Sequence, residues 1–405
     1  MSYKKWVNAE IDKAKASALS EKLNIDAFVA FLLVSRGIDD ELAASEFLSD
    51  GCGFSSPYLL KDMDKAVKRI NRALDDGESI CIYGDYDCDG VTSTALLYTF
   101  LSALGGFVSY YIPNRATDGY GMNFKAIDKI KADGTDLIIT VDNGISSIEE
   151  AEYIYSLGMQ LIVTDHHQIG ENLPRAEAVI NPHREDNEIE FRDFAGVGVA
   201  FKPGVPLYDG DVEDLLEDYA DYVTIGTIGD MVPLLNENRA IVKAGLKLIN
   251  TDAKIGISAL KKSTNSKAEH FSATDVAFQI CPRINAAGRM DTANLAVDLL
   301  TCEDNEIAEY KAEKLNLENT HRHEAEEKID NDIAEIMAND RAYQTDRVIV
   351  VAGHNYHKGV IGICAAHLVE LYSKPAIVIG IDDEGNATGS ARSIDGFNIF
   401  EEISS

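Results

Sequence analysis

The chain has 405 residues, 45% of them hydrophobic, enough to bury a large core and to divide into two or three domains. Its 37 basic residues stand against 68 acidic ones, a formal charge of −31, so composition by itself argues against a surface that holds nucleic acid through phosphate contacts. Neither export nor a membrane span is expected, because the opening MSYKKWVNAEIDKAK has no apolar core and no later stretch reaches the roughly 18 apolar residues a span needs.

Residues 1 to about 75 read as a helical preface, in which IDAFVAFLLVSRG and DKAVKRINRAL are amphipathic and the stretch Gly51 to Pro57 forms a turn between them. From residue 79 onward SICIYGD, VSYYIP, DLIITVD, QLIVTD and AVINP are short apolar runs ending in acids or turn formers. Between them TSTALLYTFLSAL and SSIEEAEYIYSLG read as helices that open near Ser or Thr caps. This alternation predicts an α/β fold, with βαβ units and a mostly parallel sheet covered on both faces. A helical region from about 214 to 300 leads into an Ala-, Glu- and Lys-rich run that predicts one connecting helix over 301–342. RVIVVAG, VIGICAAHLVELY and PAIVIG then predict the strand, helix and strand of a second, smaller α/β unit. The expected domains are 1–75, 76–300, 301–342 and 343–405. The six cysteines, Cys52, Cys81, Cys88, Cys281, Cys302 and Cys364, form no C-x-x-C pair, which fits a reducing cytoplasm better than a zinc or disulfide framework.

GDYDCDG sets Asp85, Asp87 and Asp89 directly after the first apolar strand, with Gly90 opening a helix. Alternation in an extended segment points Asp87 and Asp89 to one side. Carboxylates this close raise one another's pKa unless cations lie among them, so part of the acidic excess is expected at metal ions and the rest on a solvated face. A Ca²⁺ loop of the D-x-D-x-D-G kind would carry a Glu about six residues after the Gly, but position 96 is Leu. A carboxylate-rich turn capping a helix is the structural alternative.

The third strand ends in Asp142 of VDNGISS and the fourth in Asp165, His166 and His167 of TDHHQ. Singly these are a turn residue and a loop pair. Jointly they put acids and imidazoles at the carboxyl ends of three strands of one parallel sheet, the edge where ligands bind in open α/β sheets. Asp230, an acid in the apolar TIGTIGDMVPL, is a fourth candidate contribution, with a helix-end hydrogen bond as its alternative. Carboxylate with imidazole favours Mn²⁺ over Ca²⁺, with Mg²⁺ as the other candidate, and this many ligands suits two ions. Two ions roughly 3.5–4 Å apart stabilise the attacking and leaving oxygens of a phosphoryl transfer. Phosphoester hydrolysis is therefore the predicted reaction.

GDYDCDGVTST, YYIPNRATDGYGM, VDNGISS, TDHH, FAGVGVAFK, TIGDMVPL and RINAAGRM, in that order, resemble the DHH phosphoesterase superfamily. Within it they are most similar to the RecJ type, the single-strand-specific 5′ to 3′ exonucleases of bacterial DNA repair and recombination. The resemblance runs from about Leu32 to the last residues and includes SRGIDDELAASEFL, HKGVIGICAAHLVE and GSARSIDGFNI. It implies that Asp87, Asp89, Asp142, His166 and Asp230 are metal ligands, with Asp142 as the bridge. It also implies His167 at the scissile phosphate, Asp165 orienting an imidazole, and Asp85 tuning the site without touching metal. Arg115, Arg289, Ser390 and Arg392 would hold the substrate's phosphates, the last two at the 5′ terminal phosphate, since Arg offers a planar fork of donors and Ser a neutral one. A surface salt bridge for Arg115 and a helix-end contact for Arg289 are the structural alternatives. The small residues of RINAAGR would admit a nucleotide chain, with Arg283 either part of that surface or structural. The implied partner is single-stranded DNA with a 5′ end, with a single-strand-binding protein or a helicase as further candidates and no membrane.

Two α/β units joined by a long helix should form a cleft too narrow for a duplex, with metals on the first unit and phosphate-binding residues on the second. Relatives continue to a Gly-Gly-His segment and an OB-like domain; neither follows GFNIFEEISS, so weak, poorly processive digestion is expected. KPGVPLYDG at 202–210 departs from the family's continuous helix, and Pro203, Gly204 and Pro206 should break it. The alternative functions are a DHH-family oligoribonuclease or cyclic-dinucleotide phosphodiesterase, and a non-catalytic replication or repair scaffold. The long preface and NRATDGYGM speak against the first, and the full set of expected ligands against the second.

Overall fold

The computed structural model describes residues 7, 10–49, 53–115, 118–119, 121–208, 212–290, 292–340 and 342–404. Gly51 and Cys52 of the predicted turn, Ala116, Thr117 and Tyr120 of the NRATDGYGM block, and Asp209 and Gly210 lie outside these. All five strands predicted for the first unit form: β1 (Ser79–Tyr83), β2 (Phe107–Tyr111), β3 (Leu137–Val141), β4 (Gln160–Thr164) and β5 (Ala178–Ile180). They build one parallel sheet in the order β2-β1-β3-β4-β5, so the sequence order reverses between β1 and β3.

Alternate strand residues feed two cores, as a sheet covered on both faces requires. Ile80, Ile82, Leu137, Ile139 and Ile162 pack under the helices Met63–Asp76, Cys88–Ala103 and Val212–Gly229. Cys81, Tyr83, Ile138, Leu161 and Val163 face the helices Phe124–Ala132 and Ile148–Ser156. Before the sheet, helices Lys13–Leu23, Ala27–Ser35 and Glu41–Leu48 close their own small core around Leu19, Ala30 and Leu33.

The connecting helix spans Asn305–Asn339, about 50 Å at 1.5 Å per residue. Its first half packs Ala308, Ala312 and Leu315 into the first core, and its second half packs Ile329 and Ile333 into another. That second core belongs to β6 (Ile349–His354), β7 (Ala376–Ile381), β8 (Ala387–Arg392) and the helix Ile361–Tyr372. β6 and β7 are parallel and β8 is antiparallel to β7. β8 was not anticipated: ATGSAR lacks the apolar residues that mark a strand, and its pairing with β7 creates it.

One expectation is corrected and one holds in a milder form. The helix after β1 opens at Cys88 on an Asp87 cap, well before the Thr and Ser of TSTALLYTF, because the Asp side chain accepts the first orphan amides. At KPGVPLYDG the expected break occurs, the helix Gly196–Phe201 stopping before a separate helix Gly204–Leu207, but it is a mild one, because Lys202 and Pro203 keep right-handed helical dihedrals. Proline tolerates that position because it opens a new first turn, where its missing N–H has no partner to lose. Among the described residues no helix is long and apolar enough to cross a membrane.

Candidate metal centre and phosphate cleft

β1, β3 and β4 are adjacent, so the residues just past their carboxyl ends meet. Asp87 Oδ1 accepts from the amides of Asp89 at 3.0 Å and Gly90 at 3.1 Å. The cap therefore replaces the extended alternation expected here. Asp89, only 2% exposed, accepts from the amides of Gly196 at 2.6 Å and Val197 at 2.8 Å, which begin the helix of the FAGVGVAF segment. Asp142 holds a left-handed backbone, φ 59°, with its amide donating to Thr164 O at 3.1 Å. Gly196 lies against it so closely that a Cβ there would sit 2.7 Å from Asp142 Oδ1.

His166 joins these groups. Its Nε2 lies 3.1 Å from Asp142 Oδ1 and 3.8 Å from Asp89 Oδ2, and its Nδ1 lies 3.8 Å from Asp230 Oδ2. Asp230 follows the last turn of the helix Val212–Gly229, its amide bonded to Gly226 O as the helix-end alternative required, while its side chain turns into the cluster. Asp165 accepts from the amides of Ile145, His166 and His167, and its Oδ1 pairs with His167 Nδ1 at 2.7 Å. The imidazole it orients is thus that of His167.

The ligand atoms sort into two groups, each within 4.8 Å: Asp89, His166 and Asp230, and Asp85, Asp87 and Asp142. A third group, Asp142 with His166 and His167, overlaps both and puts Asp142 between them. Asp85 stands among these oxygens rather than behind them. Burial first, and then neighbouring carboxylates, push Asp89 and Asp142 well above the usual carboxylate range. Burial and Asp87 raise Asp85 to about 7 and Asp230 to about 6. Burial, then His167, lowers His166 to about 4, which keeps its imidazole neutral, whereas the hydrogen bond with Asp165 raises His167. Asp85 Oδ1 and Asp142 Oδ1 are buried without a hydrogen bond, the 3.1 Å approach of His166 notwithstanding. Carboxylates that cannot all ionise alone, a neutral imidazole and orphaned buried oxygens are a donor set that fits a pair of divalent cations.

Beside this cluster a cleft of about 830 Å³ opens between the two sheets, lined by Asn114, Arg115, Arg289, His357, Lys358 and Ser390 among others. Arg115 lies over the Tyr86 ring, 5.2 Å from its centroid, which ties the cleft to the loop carrying Asp85 and Asp87. Arg289 Nη1 donates to Gly359 O at 3.0 Å, a contact across the cleft rather than at its own helix end. Burial, then Arg115 and Arg322, pushes the Arg289 guanidinium down to about 10, with Arg392 contributing further repulsion. Ser390 and Arg392 leave β8 together, Arg392 Nη1 donating to Ser390 Oγ at 3.2 Å. Both face Gly362, where a Cβ would lie 2.9 Å from Ser390 Oγ. Arg115 and Arg289 of the first unit thus face Ser390 of the second, and the candidate phosphate-binding residues do not come from the second unit alone.

His357 and Lys358, in the loop after β6, were missed as site residues. The signal was present in HKG directly after a strand, since that is again a carboxyl edge of parallel strands. Gly288 of RINAAGR packs on the Tyr86 carbonyl, 2.3 Å from where its Cβ would be, so that small residue serves helix-to-loop contact. Arg283 bonds Gln279 O and Asn316, the structural reading.

A model of the DHH family N-terminal domain matches residues 79–227, and one of the DHHA1 domain matches residues 324–405. The single-stranded-DNA-specific exonuclease RecJ of Bacillus subtilis is 42% identical over 402 residues, 99% of this chain and 50% of its own length. A crystal structure of exonuclease RecJ bound to manganese superposes with a TM-score of 0.75 at 32% identity, covering 87% of each chain. The chain belongs to the RecJ family. Thermus thermophilus RecJ in complex with Mn²⁺ superposes at a TM-score of 0.81 with 30% identity, covering 97% of this RecJ-family chain and 55% of the other. The Mg²⁺ complex of the same protein superposes at 0.73 with 29% identity, covering 97% and 53%. This RecJ-family chain spans about half the length of the Bacillus subtilis relative.

Proposed function

We propose that this chain carries the catalytic core of a two-metal exonuclease that hydrolyses phosphodiester bonds from the 5′ end of single-stranded DNA, in repair and recombination. The observation that carries this reading is the convergence of two groups of donor atoms, linked by a third through Asp142 and His166, beside a cleft lined by Arg115 and Arg289. Asp87, Asp89, Asp142, His166 and Asp230 would hold the ions, Mn²⁺ or Mg²⁺, with Asp142 between them and Asp85 near enough to contribute. Two such ions supply Lewis acidity to the phosphate and lower the pKa of a bound water. The chain's own residues do the rest. With Nδ1 committed to Asp165, His167 would meet the scissile phosphate through Nε2. Arg115 and Arg289 would hold backbone phosphates, and Ser390 with Arg392 the terminal one. A cleft walled by two sheets would exclude a duplex by size.

This reading assigns catalysis and the holding of backbone phosphates to 76–300, coupling to the helix at 301–342 and capture of the terminal phosphate to 343–405, after a helical preface at 1–75. A reducing cytoplasm suits the five described cysteines, all free and four of them buried. Single-strand-binding protein and helicases are the partners such an enzyme would meet.

The test is Mn²⁺-dependent digestion of 5′-labelled and 3′-labelled single strands, blunt duplex, dinucleotides and cyclic dinucleotides. Loss of the 5′ label as mononucleotide first, with the duplex spared and Asp142→Ala inactive, supports the proposal. Equal digestion of the duplex, hydrolysis confined to dinucleotides, or an active Asp142→Ala protein overturns it.

A further inference from the structure

Two packed helices away from the centre described above carry a second set of metal-binding side chains. Glu326 and Asp330 lie one turn apart on one face of the helix Asn305–Asn339. His367, on the helix Ile361–Tyr372, reaches between them: its Nδ1 is 2.9 Å from Asp330 Oδ2 and its Nε2 is 3.5 Å from Glu326 Oε1. An oxygen of each carboxylate and a nitrogen of the imidazole lie within 4.8 Å of one another. Arg322 Nη1 holds Glu326 Oε2 at 2.7 Å, which turns Oε1 toward the histidine. Cys364, one turn before His367 and buried, adds a soft donor at the edge of the group, its Sγ 4.0 Å from Glu326 O. Burial and the adjacent Asp330 carboxylate hold that thiol above its usual range.

We propose that Glu326, Asp330 and His367 form a site for one borderline divalent cation of the Zn²⁺ class, which staples the long helix to the helix packed on the second sheet. Two carboxylates and an imidazole, presented by two facing helices, are a common zinc-type donor set. Around tetrahedral zinc, bonds of about 2.0–2.2 Å separate two ligands by about 3.3–3.6 Å. The group therefore closes on an ion by small side-chain rotations, and Asp330 and His367, 36% and 39% exposed, have room to make them. The same two residues line a side cavity of about 310 Å³, which gives the ion its entry. Glu326 and Asp330 bring two carboxylates to the one Arg322 guanidinium, so a cation adds countercharge as well as forming bonds. The long helix packs its first half on the first core, so the ion would fix β8, with Ser390 and Arg392, relative to the cleft.

The full chain is stripped with chelator, loaded with Zn²⁺, desalted and assayed for bound zinc by mass spectrometry. The unmodified chain should retain one ion per molecule more than His367→Ala and than Asp330→Asn, which keeps the side-chain shape if the first variant unfolds. Glu370→Gln, an exposed change beside the same cavity, should retain the full count. Equal zinc content in the unmodified chain and Asp330→Asn overturns the proposal. Because the readout is a difference of one ion, occupancy of the DHH centre cancels, and failure of the nuclease reading is read separately, from Mn²⁺-dependent digestion by the unmodified chain.

Discussion

Asp142 sits at the end of β3 in a backbone conformation that costs most residues energy and that Asp tolerates better than bulkier ones. That turn aims its carboxylate along the sheet edge toward His166, and Gly196 leaves the space it occupies. Gly196→Ala would place a Cβ 2.6 Å from Asp142 Cβ, and the fixed strand end gives the aspartate no retreat. The expected outcome is a roughly 10–100-fold higher Mn²⁺ concentration for half-maximal nuclease activity, the range typical when a ligand's support is disturbed. A Mn²⁺ titration of the rate checks it; an unchanged midpoint would mean the carboxylate is not a ligand. From the sequence Asp142 was visible as a strand-end acid, but Gly196 was only one glycine of FAGVGVAF. Its role depends on a neighbour 54 positions away in the chain.

Elements position these residues through their ends. The helix Gly196–Phe201 offers its first amides to Asp89, and its far end is anchored by Lys202, whose ammonium is buried against Glu237. Both side chains are at most 4% exposed, so Glu237→Gln would leave a buried ammonium without its carboxylate. The expected cost is about 3–5 kcal/mol, read from urea denaturation. A second tie joins β5 to the helix Met63–Asp76: Arg184, 8% exposed, donates to Asp62 at 2.7 Å, to Val179 O, and bidentately to Asp186. Burial works to raise the Asp62 carboxyl, but the hydrogen bonds from Lys65 and Arg184 outweigh it and hold it below 3.8. A folded pKa below the unfolded one stabilises fully above the unfolded value and is lost as pH falls through the folded one. Wild type should therefore lose more of its urea midpoint between roughly pH 5 and pH 3 than Asp62→Asn does. Equal losses would remove Asp62 from the acid-sensitive groups.

At the scale of the molecule, a chain of net charge −31 gathers buried carboxylates at one point and arginines at another, side by side. The composition that argued against nucleic acid therefore describes the average surface, not the cleft. Folding without cations must bury Asp89 and Asp142 protonated or repelling each other, so ions that bind only the folded chain should stabilise it. At 100 times its dissociation constant an ion adds about 2.7 kcal/mol. Differential scanning calorimetry should show Mn²⁺ raising the unfolding temperature of the wild type, chelator reversing the rise, and Asp142→Ala showing much less of it. A shift of equal size in both proteins would place the ions elsewhere.

The strands, their parallel arrangement and the acids at their ends were legible because apolar runs with period and length fix a buried strand, and chain direction fixes which end carries the acids. The family motifs added the proposed ligand set. What only the tertiary structure decided were the contacts between distant segments: Gly196 against Asp142, Asn285 accepting from the Cys88 amide, β8 formed by pairing with β7, and Arg115 and Arg289 set across the cleft from Ser390. Local pattern specifies an element through its own hydrogen bonds and burial. Which element's end meets which is set by packing the whole chain, and no short window of residues contains that sum.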